Sequence, residues 1–84
     1  MIPYMKMVMK YFKLKKKKCK ILSKNVFSYN KDNIKKVFIL ENGLVSVFES
    51  NPYFLDSITL QKYYISGEKF ITDNSVEIVH LRDK

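Results

Sequence analysis

Positive charge is concentrated in the first 36 residues, and this uneven distribution constrains how the chain can fold. That segment contains twelve lysines and one acidic residue, Asp32, for a net charge of +11. Residues 37–84 carry four basic and seven acidic side chains, a net charge of −3, so the whole chain carries +8. Because charged side chains are costly to bury, the lysines must lie outside whatever core the apolar residues form. This distribution is typical of proteins that bind nucleic acid or another anionic surface.

The length and the rare residues exclude several classes of function. Eighty-four residues fit one small domain and leave little room for a deep catalytic cleft. One cysteine, Cys19, and one histidine, His80, exclude an internal disulfide and any cysteine- or histidine-based metal cluster. Two glycines cannot make a glycine-rich phosphate loop. No apolar run reaches the roughly 18 residues of a membrane span. We therefore expect a protein that is not an enzyme, has no cofactor and does not bind a membrane.

The N-terminal apolar spacing predicts an amphipathic helix over residues 3–14. Its apolar positions recur at i, i+3, i+4 and i+7, which places them on one helical face: Met5, Val8, Met9 and Phe12. Pro3 suits the first turn of a helix, where its missing N–H costs nothing. We interpret the apolar stripe as core packing, with lysines on the other faces.

The lysines that follow this helix are the main candidates for phosphate contacts. Lys15 to Lys18 form an unbroken run whose like charges repel one another, and a bound phosphate backbone would relieve that repulsion. A solvated turn explains the run equally well. Tyr63 and Tyr64 beside Lys62 combine base stacking with positive charge, although one core and one surface tyrosine is the commoner arrangement in a strand. The candidate RNA-binding residues are Lys13, Lys15, Lys16, Lys17, Lys18, Lys20, Lys62, Lys69, Tyr63 and Tyr64.

The middle of the chain supports two interpretations. Apolar residues and lysines mixed between Cys19 and Val26 suggest a short strand, and Asp32-Asn33 after it is able to begin a helix. Within residues 37–50, Asn42-Gly43 between apolar runs is a strong hairpin signal. The same range also keeps a helical period in its apolar residues: Val37, Leu40, Leu44, Val45 and Phe48. Local propensity alone favours the hairpin.

The C-terminal part is rich in strand-forming residues until its last segment, which is again ambiguous. Residues 53–65 read as two strands, and Ser66 to Lys69 as a turn. Asn74 with Glu77 three residues later resembles a capping box at the start of a helix. The β-branched run that follows Ser75 favours a strand instead.

Several short segments resemble a known family, in one register as far as Tyr64 and again after an insertion of about four residues around Gly67-Glu68. They are Met1-Ile2-Pro3, then Val8, Tyr11 and Leu14, then Leu22 to Val26, Ser50 to Phe54, Ser57 to Tyr64 and Thr72 to Arg82. In this order the chain resembles the S-ten family of eukaryotic small-subunit ribosomal proteins, the plectin/S-ten domain family. It departs from the family at Pro52, where the family has a turn glycine, and at Leu60, where it has a tryptophan. Gly43 lies inside the expected third helix, and the basic tail of the family is missing.

The resemblance implies an α+β winged helix as a single domain over residues 1–84. That fold has three helices, a small antiparallel wing sheet and a C-terminal helix, and it requires helices at 37–50 and 74–82. The implied function is that of a structural constituent of the cytosolic small ribosomal subunit, near the messenger entry side. The implied partners are ribosomal RNA and head proteins such as ribosomal protein S-three.

Two alternatives stay open. The first is a free winged-helix regulator that binds DNA through its third helix, although residues 38–50 contain Glu41 and Glu49 and no lysine. The second is a small all-β interaction module built on the Asn42-Gly43 hairpin.

Overall fold

The computed structural model describes residues 3–51, 54–67 and 69–80. These residues form one α-helix, a short 3₁₀ turn and six strands. The elements are α1 (Pro3–Tyr11), the 3₁₀ turn (Lys16–Lys18), β1 (Cys19–Ser23), β2 (Val26–Lys31), β3 (Ile34–Glu41), β4 (Leu44–Asn51), β5 (Phe54–Ser66) and β6 (Lys69–His80).

The six strands form one antiparallel sheet in which each strand pairs with the next one along the chain. The order is β1-β2-β3-β4-β5-β6, so β1 and β6 are the two edges. The winged-helix prediction is therefore wrong: the described residues contain one α-helix, not three with a small wing. The structure is mostly antiparallel sheet.

Two of the hairpins turn on residue pairs in the left-handed conformation. Asp32 and Asn33 have φ of 53° and 66°, and they connect the paired residues at the ends of β2 and β3. Asn42 and Gly43 have φ of 51° and 78° between β3 and β4. Two-residue loops with positive φ at both positions match the right-handed twist of the flanking strands. Asp32-Asn33 is thus a hairpin turn, and the suggestion that it begins a helix is wrong.

The helix that the resemblance required over residues 37–50 is also wrong, because this range is the β3–β4 hairpin. Leu40 pairs with Val45, and Val37 pairs with Phe48. The first pair lies on one face of the sheet and the second on the other. Because both faces carry apolar residues, their positions along the chain mimic a helical period.

The helix required over residues 74–82 is wrong as far as the structure describes that range. β6 continues to His80, with Glu77 opposite Leu60 and Ile78 opposite Thr59. The β-branched residues prevail over the capping-box pattern, since residues 76 to 80 each pair with a residue of β5. Residues 81–84 lie outside the described part.

The predicted N-terminal helix forms, but it ends three residues early. The backbone N–H of Leu14 donates to the carbonyl of Met9 at 2.9 Å, and that of Lys13 donates to Lys10 at 3.1 Å. Lys13 has φ of 56°. These two bonds around a left-handed residue define a Schellman motif, which satisfies carbonyls at the helix end. Lys13 occupies the position at which glycine is usual.

Helix α1 covers one face of the sheet, and the core lies between them. The fully buried side chains of this covered face come from the helix and the inner strands: Met5, Val8, Phe27, Phe38 and Val45. The rings of Phe27 and Phe38 stack on neighbouring strands with centroids 4.6 Å apart. The predicted apolar stripe of the helix is thus confirmed as core. We call the opposite side of the sheet the open face.

Candidate nucleic-acid interface

An acid-free stretch of lysines runs through α1, the 3₁₀ turn and β1. We define residues 3–24 as the basic segment; it contains nine lysines and no acidic residue. The nine are all exposed: Lys6, Lys10, Lys13, Lys15, Lys16, Lys17, Lys18, Lys20 and Lys24. The segment thus concentrates positive charge on the surface, as its composition predicts.

The exposed lysines and tyrosines of α1 lie on different sides of the helix. At about 100° per residue, Lys6 and Lys10 lie roughly 130° around the axis from Tyr4 and Tyr11. Tyr11 stacks on Phe70 of β6 with centroids 4.1 Å apart. The buried stripe and this tyrosine contact fix the rotation of the helix about its axis, so the lysine flank is held towards solvent.

The run of four lysines forms a defined turn rather than a free loop. The backbone N–H of Lys18 donates to the carbonyl of Lys15 at 2.9 Å. The backbone N–H of Cys19 donates to the carbonyl of Lys16. The Cys19 thiol donates to the carbonyl oxygen of Lys15 at 3.5 Å. Four ammonium groups are therefore attached to backbone whose hydrogen bonds are satisfied locally, at the start of the edge strand β1.

The lysines of the basic segment are not neutralised by carboxylates within the described structure. Among the described side chains one ion pair is formed, between Lys36 and Glu49 at 3.6 Å. It lies on β3 and β4, outside the basic segment, and both partners keep about a third of their side-chain surface exposed. The basic segment is therefore able to accept external anions without breaking an internal pair.

The two candidate tyrosines on β5 lie on opposite sides of the sheet. Tyr63 is half-buried on the covered face, where its ring meets Phe12 edge to face at 5.0 Å. Burial raises the pKa of its hydroxyl, and Tyr11 and Glu49 raise it further. Tyr64 is 45% exposed on the open face. Tyr63 therefore serves the core, and Tyr64 has a ring surface free for contacts with a ligand.

The candidate residues fall into two separate groups. Lys13 to Lys20 lie together in the basic segment. Lys62, Tyr64 and Lys69 lie on β5 and β6. Lys20 on β1 and Lys62 on β5 are four strand spacings apart, which is roughly 19 Å across the sheet. Lys13 lies nearer the second group, because Tyr11 and Phe12 just before it contact Phe70 and Tyr63. The structure therefore does not bring all the candidates into one site.

The candidate set omits lysines that the structure places in the basic segment. Lys6 and Lys10 are exposed on α1, and Lys24 lies in the turn between β1 and β2. The signal for Lys6 and Lys10 is in the sequence, since the apolar helical stripe leaves them on outer faces.

The fold and the basic segment together define a small β-sheet protein with one covering helix and an acid-free cationic surface. No protein-family model matches the chain, and no curated protein or solved structure matches it significantly. The described helix is too short to cross a membrane. The chain's own residues and their arrangement therefore carry the evidence for its function.

Proposed function

We propose that this protein binds RNA through the basic segment and carries out no reaction. The observation that supports the proposal is the set of nine exposed lysines without an acidic residue or a described internal ion pair. Binding to such a surface gains free energy because each phosphate that pairs with a lysine releases a condensed counterion.

Contacts of this kind fix position and carry no sequence information directly. Single-stranded RNA also offers unstacked bases, which stack on aromatic rings. Tyr4 and Tyr11 are 53% and 47% exposed on the flank of α1 away from Lys6 and Lys10, and one face of the Tyr11 ring stacks on Phe70. A flexible single strand is able to pass from the lysine flank to the tyrosine flank, whereas a duplex keeps its bases stacked.

The proposal in its narrower form places the protein on the small ribosomal subunit, bound to ribosomal RNA and neighbouring proteins such as ribosomal protein S-three. The charge distribution supports this form, but the winged-helix argument for it no longer holds. Mass spectrometry of salt-washed ribosomes from the source organism tests it. We expect the chain in the small-subunit fraction, and its absence there would remove the ribosomal form while leaving RNA binding intact.

The regulator hypothesis loses its structural basis. A winged-helix regulator inserts a recognition helix into the major groove, and residues 38–50 are strands that meet at a turn. The single described helix buries its apolar stripe against the sheet. The all-β interaction module agrees with the observed sheet, and the open face gives it a specific basis, developed below.

The test of RNA binding compares two double variants of equal charge. Lys16→Gln with Lys17→Gln removes two lysines of the basic segment, and Lys31→Gln with Lys35→Gln removes two exposed lysines elsewhere. Affinity for a single-stranded RNA is measured by fluorescence anisotropy across a range of salt. Each lost phosphate contact lowers the slope of log affinity against log salt by about 0.7, which is about fivefold in affinity at 0.1 M salt.

We expect the first variant to lose about 25-fold in affinity at 0.1 M salt. We expect the second to lose much less. Equal losses in both would show that net charge, and not the basic segment, determines binding. A wild-type affinity that does not depend on salt would contradict the proposal altogether.

A further inference from the structure

The open face of the sheet carries a central apolar patch that no described element covers, with Lys35 and Lys62 of the inner strands on the same face. Six of its side chains, all on inner strands, are only partly exposed and form a continuous patch: Val26, Val37, Ile39, Phe48, Ile58 and Leu60. A shallow hollow of about 220 Å³ lies among Val37, Phe48 and Ile58. Contiguous apolar surface of this kind marks an interaction site on most soluble proteins.

One row across the open face has opposite charges at its two ends. Successive cross-strand pairs connect its members from β1 to β6: Lys20, Ser28, Val37, Phe48, Leu60 and Glu77. Lys20 and Glu77 are exposed on the two edge strands, Ser28 is polar and buried, and Val37, Phe48 and Leu60 form an apolar centre. The row is thus positive at one edge, apolar in the centre and negative at the other edge.

We propose that the open faces of two copies of this chain pack against each other as a two-layer sandwich. The two-fold axis lies in the plane between the two sheets, runs parallel to the strands and passes between β3 and β4. It places β1 of one copy over β6 of the other. Lys20 of each copy then faces Glu77 of its partner, while Val37 packs over Phe48. Rotation about an axis in the interface plane but perpendicular to the strands would instead place Lys20 over Lys20 and Glu77 over Glu77. The Lys20 and Glu77 positions therefore favour the first arrangement, in which Lys62 lies over Val26 of the other copy.

The size of the face agrees with a stable dimer. Six strands about 4.8 Å apart span about 24 Å, and the eight-residue inner strands are about 27 Å long, giving a face of about 650 Å². A typical specific interface takes about 800 Å² from each partner. Two sheets packed about 10 Å apart would exclude water from the apolar patch.

The dimer leaves the covered faces outside, so α1 and its lysines remain accessible on both copies, while Lys20 of the basic segment lies in the interface. The inference does not depend on RNA binding, and it is tested in the absence of RNA. Sedimentation equilibrium in low salt measures the mass, which we expect to be twice the 10.0 kDa of the chain. A mass of one chain at concentrations up to about 100 µM would overturn the proposal.

Charge exchange tests the arrangement. Lys20→Glu or Glu77→Lys alone converts two attractive contacts into two repulsive ones, and we expect the dimer dissociation constant to rise about 10- to 30-fold. The double variant restores opposite charges and should return to within about threefold of the wild type. Both side chains are exposed, so the monomer fold is expected to survive. Failure of the double variant to recover would overturn the arrangement.

An aspartate on the patch tests the surface. Phe48→Asp places a charge at the centre of the proposed interface and is expected to abolish the dimer. The control is Ile78→Asp, at a position 63% exposed on the covered-face side of β6. Circular dichroism confirms that both variants are folded. Loss of the dimer with Ile78→Asp but not with Phe48→Asp would point to edge-to-edge pairing of β6 and overturn the proposal.

Discussion

Replacing Lys13 by glycine should stabilise the protein, although lysine is normally the better residue near a helix. Lys13 has φ of 56° and ends α1 in a Schellman motif. The left-handed conformation costs a non-glycine residue about 1–2 kcal/mol. Glycine removes that cost but loses about 0.5–1 kcal/mol through the greater entropy of the unfolded chain. The net gain for Lys13→Gly is about 0.5–1 kcal/mol, a rise in melting temperature of about 2–8 °C for a chain of this size.

The matched control is Lys6→Gly on the same helix. Lys6 is exposed and lies within α1, so the charge change is identical and the backbone context is different. Glycine there should cost about 0.7 kcal/mol. Thermal unfolding followed by circular dichroism measures both variants. If Lys13→Gly lowers the melting temperature as Lys6→Gly does, the helix continues through residue 13 and the assignment of its end is wrong.

Three further perturbations test the sheet and its core. Asn33→Gly should change the free energy of unfolding by less than about 0.5 kcal/mol, because Asn33 has φ of 66° in the turn and asparagine tolerates that conformation. Asn30→Gly within β2 should lower it by about 0.5–1 kcal/mol, and equal losses in both variants would contradict the turn. Phe38→Ala should cost about 3–5 kcal/mol in denaturant titration, since Phe38 is fully buried, whereas Val76→Ala at a 55% exposed position should cost far less; similar costs would contradict the core. The raised pKa of Tyr63 means that the folded state holds this proton more tightly, so its contribution to stability is complete below pH 10 and is lost as the pH rises through the folded-state pKa. The free energy of unfolding of Tyr63→Phe should fall less steeply with rising pH in alkali than that of the wild type. The same pH dependence in both proteins would contradict burial as the cause of the raised Tyr63 pKa.

Local patterns in the sequence predict the helix and the β3–β4 turn correctly. The stripe through Met5, Val8 and Met9 predicts the buried side of α1, and Asn42-Gly43 predicts the turn that the structure shows. In both cases the signal is contained in a few neighbouring residues. Such local signals need no knowledge of the partner strand or of the rest of the core.

The resemblance to the S-ten family predicts the wrong structure where it overrides those local signals. Gly43 inside the expected third helix is the residue that conflicts with it most directly, since it has φ of 78° in a hairpin. The helix predicted near the end of the chain is wrong for a different reason. Asn74 and Glu77 match a capping pattern, whereas the β-branched run after Ser75 favours a strand, and only the pairing with β5 decides between these two local signals.

The sequence predicts that a positively charged site exists, but it does not predict where the candidate residues lie on the sheet. The lysine run shows that a cationic surface exists. The alternation of side chains along a strand already favours one core and one surface tyrosine at positions 63 and 64, but which of the two faces the core follows only from the side on which α1 packs. Likewise, the row from Lys20 to Glu77 exists only through the cross-strand register of six strands, so no sequence pattern indicates it.

The central claim, that RNA binds the basic segment, is tested most directly by locating a cross-linked nucleotide. After ultraviolet cross-linking to single-stranded RNA, cleavage before each aspartate releases residues 1–31 as one fragment, because Asp32 is the first acidic residue. The same cleavage places Lys62, Tyr64 and Lys69 together in the fragment 56–72. We expect the cross-linked nucleotide, detected by mass spectrometry, on residues 1–31. A nucleotide found mainly on 56–72, or on no fragment, would contradict the account.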